Sequence, residues 1–317
     1  MRVGILARLK LMLAFLIIVV LNGSQTVTWG ATEGQLVEVS PVVQDESDPN
    51  QQYTWWENVG YEACLARYET AALFATITAV GIYSWNWGSS DFRFNSEGWF
   101  GSDTGSGGSD KLGHAFTSYA FTNLLTEAML ARGGSSVYAP LTAGLISTGL
   151  MTYVELFDGF SEDHGFSYED MIIDLLGIGL AYARHRVPGL REGLDFRLEY
   201  WPSGHKGFRP LSDYSGLRYL LAFKLSGVEP LRTTPLRYVE LHAGYYTRGF
   251  LREERLAGED KERTLFVGIG VNLNELFFGR KAKENPTVFD RARRLVFEHI
   301  QVPYTSYRFY EDTKTTK

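Results

Sequence analysis

The stretch Val239-Glu240-Leu241-His242-Ala243-Gly244-Tyr245 alternates between two residue classes at every second position. Val239, Leu241, Ala243 and Tyr245 form one set, and Glu240, His242 and Gly244 the other. Period two is the pattern of a strand with one apolar and one polar face. Upstream the pattern is different. Residues 70–90 and 133–154 carry no charge, and their Ala, Leu, Gly and Thr recur at helical spacing. The period thus changes from about 3.6 to 2 along the chain. The expected fold class is α+β: an amino-terminal helical bundle of about four apolar helices, then a small antiparallel β-sheet and a carboxy-terminal helix.

Working outward, helices are expected over 57–85, 111–132, 137–157 and 168–184. Pro140 falls in the first turn of the third, where a missing N–H costs little, and Pro188 stops the fourth. Strands are expected over 194–200, 217–228, 236–250 and 263–278. Four strands are too few to close a barrel, which takes about eight. The apolar sheet face packs on the helices, or meets lipid or a partner. Beyond Pro286, Phe289, Ala292, Leu295, Val296 and Ile300 return to helical spacing. Arg291, Arg293 and Arg294 among them read as a solvated face or an anionic-lipid contact. The two uncharged stretches are long enough to cross a bilayer, yet their Thr, Ser and Gly content suits core helices equally. Trp85, Trp87 and Trp99 suit either a membrane interface or packing over the bundle end.

The amino terminus reads as an address. Arg2, Arg8 and Lys10 precede the apolar run 11–21, and small polar residues follow, the order of a secretory signal. The run is shorter than the roughly 20 residues of a bilayer span. Cleavage after Gly30 fits, and an uncleaved anchor is the alternative. The expected organisation is 1–30 signal peptide or anchor, 31–54 exposed linker, 55–187 helical domain, 190–280 antiparallel β segment, and 286–317 carboxy-terminal helix and tail.

Composition closes several doors. The chain has 317 residues, net charge -6 and 44% hydrophobic residues, so it can bury a full core and is not disordered throughout. An excess of acid over base argues against nucleic acid as a partner. Cys64 is the sole cysteine, which excludes a disulfide framework, a thiolate metal cage and a lipid thioether at the amino terminus.

The chemistry lies in two polar groups. In the first, Asp110, a probable helix N-cap, is followed by Lys111, Gly113, His114, Ser118, Tyr119, Asn123 and Glu127. Asp110, His114 and Ser118 are four apart and share a helix face. A phosphate loop is rejected, because Asp precedes Lys111 and Leu follows it. The second group is Glu155, Asp158, Ser161, Asp163, His164, Ser167, Asp170 and Asp174. Ser167 and Asp170 match a capping box, which accounts for Asp170 structurally, even though it could also face the site. Asp174 and Glu155 lie among apolar neighbours, where a carboxylate must be paired, protonated or metal-bound. The site candidates are therefore Asp110, Lys111, His114, Glu155, Asp158 and Asp174. His114, Glu155 and Asp174 are the candidate ligands of a divalent metal such as zinc, manganese or iron. The alternative is a buried ion-pair network that fixes helix register. Asp163 and His164 read as loop residues, and His185, His205, His242 and His299 as isolated. Neither a Gly-x-Ser-x-Gly elbow nor a His-Glu-x-x-His pair is present.

Asp110-Lys111-Leu112-Gly113-His114 with Ser118-Tyr119 resembles the first signature of the YfiM-like family of predicted periplasmic lipoproteins. Glu155-Leu156-Phe157-Asp158-Gly159, Gly165-Phe166-Ser167-Tyr168-Glu169-Asp170, Asp174 and Gly177 resemble the second. The pair also looks like the Asp-Lys-x-x-His and Ser-x-x-Asp pattern of VanZ-like membrane proteins. The resemblance spans about residues 55–187. It implies an exported envelope protein of unassigned biochemistry and supplies no catalytic residue. The chain departs from the lipoprotein members in lacking a lipidation cysteine and in adding the sheet. The expected function is a membrane-associated binding or structural protein of the periplasm or envelope, organised by the Lys/His/carboxylate network, with membrane lipid or an envelope protein as partner. The alternative is a metal-assisted or acid/base hydrolase acting on an envelope lipid or glycan.

Overall fold

The computed structural model describes residues 54–204, 209–210, 212–278 and 288–316. The expected signal and linker lie outside these residues except for Thr54, as does His205. The architecture is α+β, with helices first, then a five-stranded antiparallel sheet interrupted late by a helix.

Helix α1 is Trp55–Leu65 and α2 is Arg67–Ser84. Thr54 caps α1 reciprocally: its hydroxyl accepts from the Glu57 N–H, and the Glu57 carboxylate accepts from the Thr54 N–H at 2.7 Å. The single helix expected over 57–85 is thus two, broken at Ala66. The break is tolerated because the Cys64 carbonyl, freed by it, accepts from the Arg67 guanidinium at 3.1 Å. It also lets two acids point inward. Glu62 accepts from the Ser135 N–H, and Glu69 takes a two-pronged bond from Arg132.

Helices α3 (Ser109–Ala131), α4 (Tyr138–Asp158) and α5 (Tyr168–Arg186) form the rest of the bundle. Leu73, Ile77, Leu124, Leu125, Met129, Ala143, Leu150 and Val154 make its main core. Burying each such Leu or Ile is worth about 1.5–3 kcal/mol, which explains why helices of modest amphipathicity assemble. Among the described residues no helix is long and apolar enough to cross a membrane, so the uncharged stretches 70–90 and 133–154 are not spans. Trp85 and Trp87 pack against the main core, whereas Trp99 is exposed.

A short turn of helix, α6 (Leu190–Gly193), leads into β1 (Leu194–Tyr200), β2 (Leu217–Lys224) and β3 (Val239–Arg248). Then follow α7 (Arg252–Leu256), β4 (Lys261–Val271), α8 (Leu273–Phe278), α9 (Val288–His299) and β5 (Ser306–Thr316). The strand order is β1-β2-β3-β4-β5. The last strand corrects the expected tail. The expected strand over 263–278 is also too long, because Asn272 turns the chain and accepts from the Glu275 N–H to start α8.

The two sheet faces differ in an unusual way. Phe196, Leu217 and Tyr219 pack on Ala115, Tyr119 and Ile173 of the bundle. The opposite face buries Asp195, Arg197, Glu199, Lys224, Glu240 and His242. These charges are paired: Arg197 reaches Glu240 at 2.7 Å and Asp195 at 2.6 Å, Lys224 meets Asp195 at 2.6 Å, and Arg184 meets Asp195 at 2.7 Å. The ring of His242 lies where a side chain on Gly270 would stand, since a Cβ there would come within 2.3 Å of it. His242 contacts Glu240 at 3.3 Å, His185 contacts Asn123 at 3.1 Å, and His299 contacts the Leu295 carbonyl at 2.8 Å. None of the three is isolated, contrary to expectation.

Candidate functional site

Three helix segments and one loop converge beside the bundle. Helix α3 begins after Gly108, whose φ of 92° is open to glycine at little strain. Asp110 is therefore in the first turn and is not the N-cap. Its own N–H is taken by the Ser106 hydroxyl, and its carboxylate is left for tertiary contacts. One of these is the Tyr214 hydroxyl, which donates to Asp110 Oδ1 at 3.1 Å. Ser167 caps α5 by accepting from the Asp170 N–H, as the sequence predicts. That cap uses the Asp170 backbone only. The Asp170 carboxylate turns to Lys111, with Nζ to Oδ1 at 2.8 Å, a contact the capping explanation concealed.

Lys111 is almost fully buried and gathers two more acids, Glu97 at 3.0 Å and Asp110 at 3.5 Å. Glu97 lies in a loop that the sequence reading passed over; no helical or strand pattern marks it. Arg93, also unforeseen, donates to the carbonyls of Ser161, Glu162 and His164. It thereby pins the α4–α5 connection, and with it the Ser167 N–H that donates to Glu155 Oε2 at 3.2 Å. Asp163 and His164 are in this loop: Asp163 accepts from the Asn86 amide, and His164 offers its carbonyl. At the end of α4, Asp158 Oδ1 accepts from the Trp87 indole at 2.6 Å.

His114 stands next to Lys111 on α3, one turn beyond Asp110. Its Nδ1 is 3.6 Å from Glu155 Oε1 and 3.5 Å from Asp174 Oδ1. The three side chains each offer one atom to a group whose members lie within 4.8 Å of one another. Asp110, His114 and Asp170 form a second such group. Yet His114 Nδ1 and both carboxylate oxygens of Asp174 are buried with no hydrogen-bond partner. These polar atoms face one another and remain unsatisfied, which a purely structural network is built to avoid.

The charge balance is lopsided. Glu97, Asp110, Glu155, Asp158, Asp170 and Asp174 gather about Lys111 and His114, with His164 also close enough to act on Asp110 and Asp158. Burial, together with Asp170 and Asp158, pushes the Glu155 carboxyl up to about 9, against the pull of His114. Burial and Asp110 push Glu97 up to about 7. Asp158 and Asp174 are also raised, chiefly by burial. Asp110 goes the other way: burial would raise it, but His114 and Lys111 outweigh that and hold it at about 2. For His114, burial favours the neutral ring, and Asp174, Asp170 and Asp110 overcome it, so its pKa lies well above the usual value. Burying these acids beside so few cations leaves a surplus of negative charge that a bound cation would relieve.

The donor set agrees with that charge. Zinc, manganese and iron accept imidazole nitrogen and carboxylate oxygen at bonds of roughly 2.0–2.2 Å. At a tetrahedral angle such bonds set neighbouring donors about 3.3–3.6 Å apart. The two His114 contacts fall in that range and are too long for strong hydrogen bonds. The residues present therefore fit a divalent ion.

Residues 96–186 match the model of a family described as predicted periplasmic lipoprotein (DUF2279). The match takes in under a third of the chain, but the site's acids, Lys111 and His114 all fall inside it, whereas Trp87, Arg93 and Tyr214 lie outside. No curated protein and no solved structure matches the chain. That description fits an exported protein of the periplasm or cell envelope.

Proposed function

We propose that the helical domain is a divalent-metal centre of the open, water-activating kind, with His114 Nδ1, Glu155 and Asp174 as its protein ligands. One observation carries this reading. Asp174 is 1% exposed, both its carboxylate oxygens lack a hydrogen-bond partner, and one of them stands 3.5 Å from an equally unsatisfied imidazole nitrogen. Three protein ligands leave a coordination position for water or substrate, and the ion supplies Lewis acidity there. This chain's residues do the rest. The Ser167 N–H fixes the orientation of Glu155, Trp87 holds Asp158 at the margin, and the partly exposed edge of His114 leaves an approach from solvent. The reading favours a metal-assisted hydrolase of an envelope lipid or glycan over a register-fixing network, and the narrower YfiM-like or VanZ-like kinship belongs to the same reading.

Metal analysis of the purified protein beside unfolding of His114→Ala and Asp174→Asn tests it. Stoichiometric metal in the wild type, lost in both variants with the fold intact, supports the centre. Equal destabilisation of both variants, with no metal in any of the three proteins, supports the network instead.

A second reading concerns membrane lipid as a partner, and a separate observation favours it. Phe223, Leu241, Ile269 and Tyr307 are cross-strand neighbours in one row over four strands. All four are exposed, as are Leu265, Val267 and Val271 beside them. Helix α3 lies against β1, β2 and β3, and these side chains remain exposed. A sheet with aliphatic side chains outward and paired charges inward has the polarity of a surface that meets lipid. Flotation with vesicles of envelope lipids, compared with Ile269→Lys, tests it: retained wild type and released variant support contact, and equal behaviour rejects it.

A further inference from the structure

The two edges of the sheet are unlike. Along β1, Ile300 forms a parallel bridge with Leu198, and the Gln301 N–H donates to the Leu198 carbonyl, so the chain leaving α9 lies against that edge. The edge at β5 is open: among the described residues this strand pairs with β4 alone. Every residue from Phe309 to Thr316 is exposed. Such an edge carries a row of unpaired N–H and C=O groups and is a template for a further strand. Phe309 is the extra residue of a bulge, and from Tyr310 to Thr316 the register with β4 is regular. Side chains therefore alternate strictly between the two faces here. Thr313 shares a face with Thr264, hydroxyl to hydroxyl at 2.9 Å. Asp312 and Lys314 lie on the other face, beside Leu265 and Arg263, and neither has a side-chain partner among the described residues.

We infer that β5 pairs antiparallel with β5 of a second copy of this chain, about a two-fold axis at Thr313. Asp312 then stands opposite Lys314 of the partner subunit, and Lys314 opposite Asp312 of the partner subunit. Directly opposed side chains have Cβ atoms about 4.5–5.5 Å apart, within reach of an ion pair. Glu311 meets a threonine and keeps its own Arg308 at 3.0 Å. Charge also excludes the neighbouring registers. Moving the axis by one residue sets Asp312 against Asp312, or Lys314 against Lys314, and like charges directly opposite are destabilising. The same charges that blunt this edge toward an unrelated strand thus select a second copy in one register. The axis is normal to the sheet, so the exposed aliphatic faces of both copies lie on one side. The seam from Tyr310 to Thr316 is short beside the roughly 800 Å² per partner of a stable interface, so the dimer dissociates on dilution. None of this rests on the metal centre, whose residues lie in the helices and their loops.

Sedimentation equilibrium of the full chain, from micromolar to millimolar concentration, tests it with Asp312→Lys, Lys314→Asp and the double variant Asp312→Lys/Lys314→Asp. Both side chains are exposed, and an unchanged Tm in dilute solution checks that the fold is intact. The expected result is a wild-type dimer, weakened about tenfold or more by either single change and recovered in the double variant, where the charges are exchanged but still opposite. A wild type that is monomeric at every concentration overturns the inference. So does a dimer that both single changes leave intact, since another surface must then hold it. A double variant as weak as the single ones also overturns it, because the two charges then do not face each other. If one single variant has a lowered Tm, the other must still weaken the dimer, and its failure to do so counts against the pairing in the same way.

Discussion

Gly177 lies directly against the backbone of Ala115: a Cβ on Gly177 would stand 2.1 Å from the Ala115 carbonyl oxygen and 2.3 Å from Ser118 Oγ. The obstacle is largely main chain, so it cannot rotate away. This close crossing of α3 and α5 brings Asp174, one turn before Gly177, to His114, next to Ala115.

Gly177→Ala therefore acts on the site from outside it. Alanine would normally gain about 1 kcal/mol over glycine within a helix. Here it must push two helices apart, and such overpacking costs about 1–3 kcal/mol or more. The expected outcome is a net loss of stability in urea and weaker metal binding, because the His114–Asp174 separation grows. Gly179→Ala serves as the control, since no atom lies within 4 Å of a Cβ there. A Gly177→Ala protein as stable as Gly179→Ala would show that the crossing is looser than it looks.

The inward face of the sheet makes a second prediction. Arg197 is 3% exposed and links Asp195 to Glu240. Asp195 retains Arg184 and Lys224 when Arg197 is lost, but among the described residues Glu240 retains only His242 as an ion-pair partner. Arg197→Met should cost about 3–5 kcal/mol, the usual penalty for stranding a buried charge. Glu240→Gln added to Arg197→Met should recover part of that loss. Urea unfolding of the single and double variants decides it, and additive losses would mean the two residues do not interact.

The particular residues show what a sequence discloses and what it conceals. The alternation from Val239 to Tyr245 marks β3 because each position reports its own face. β5 escaped because Arg308, Glu311, Asp312 and Lys314 break any period, and the strand exists through its pairing with β4. The bundle was legible from apolar spacing, whereas the break at Ala66 has no proline or glycine to announce it. In the site, Asp110, Lys111, His114, Glu155 and Asp174 stood out as polar residues in or beside apolar helices. Glu97 did not, since a loop acid has no pattern to violate. Asp170 is legible in part: the capping pattern accounts for its N–H, while its carboxylate is free to face the site and reaches Lys111.

Trp87 offers a test at the margin of the site. Its indole N–H donates to Asp158 Oδ1 at 2.6 Å, while its ring packs on Tyr153 and Phe157, with centroids 5.5 and 5.2 Å away. Trp87→Phe keeps most of the ring contact and removes the donor. Leaving a buried carboxylate oxygen without its partner should cost about 1–3 kcal/mol. Asp158→Asn added to Trp87→Phe should reduce that cost, because an amide carries no charge to strand. Chemical denaturation of the two proteins checks it; an unchanged midpoint for Trp87→Phe would mean the bond contributes nothing.

His185 and His299 predict how stability follows pH. Burial, with Arg191 and Arg184 nearby, lowers His185 from 6.5 to about 3. Burial is also the chief cause at His299, where it and Arg184 bring the ring to about 4 despite the Leu295 carbonyl and the nearby Glu298 and Asp195. The rings of Phe116 and Tyr119 close the other side of His299. Both histidines are neutral in the folded chain, whereas the unfolded chain takes up protons below about 6.5. Their contribution is therefore complete above pH 6.5 and is lost as pH falls from 6.5 toward 4. At one pKa unit per about 1.4 kcal/mol, His299 alone would forfeit on the order of 3 kcal/mol over that window. The raised carboxyls of the metal site respond in the opposite sense, so the informative quantity is a difference. The unfolding free energy of wild type minus that of His299→Gln should shrink from pH 7.5 to pH 5. A difference that stays constant across this range would mean that His299 is not held neutral by the fold.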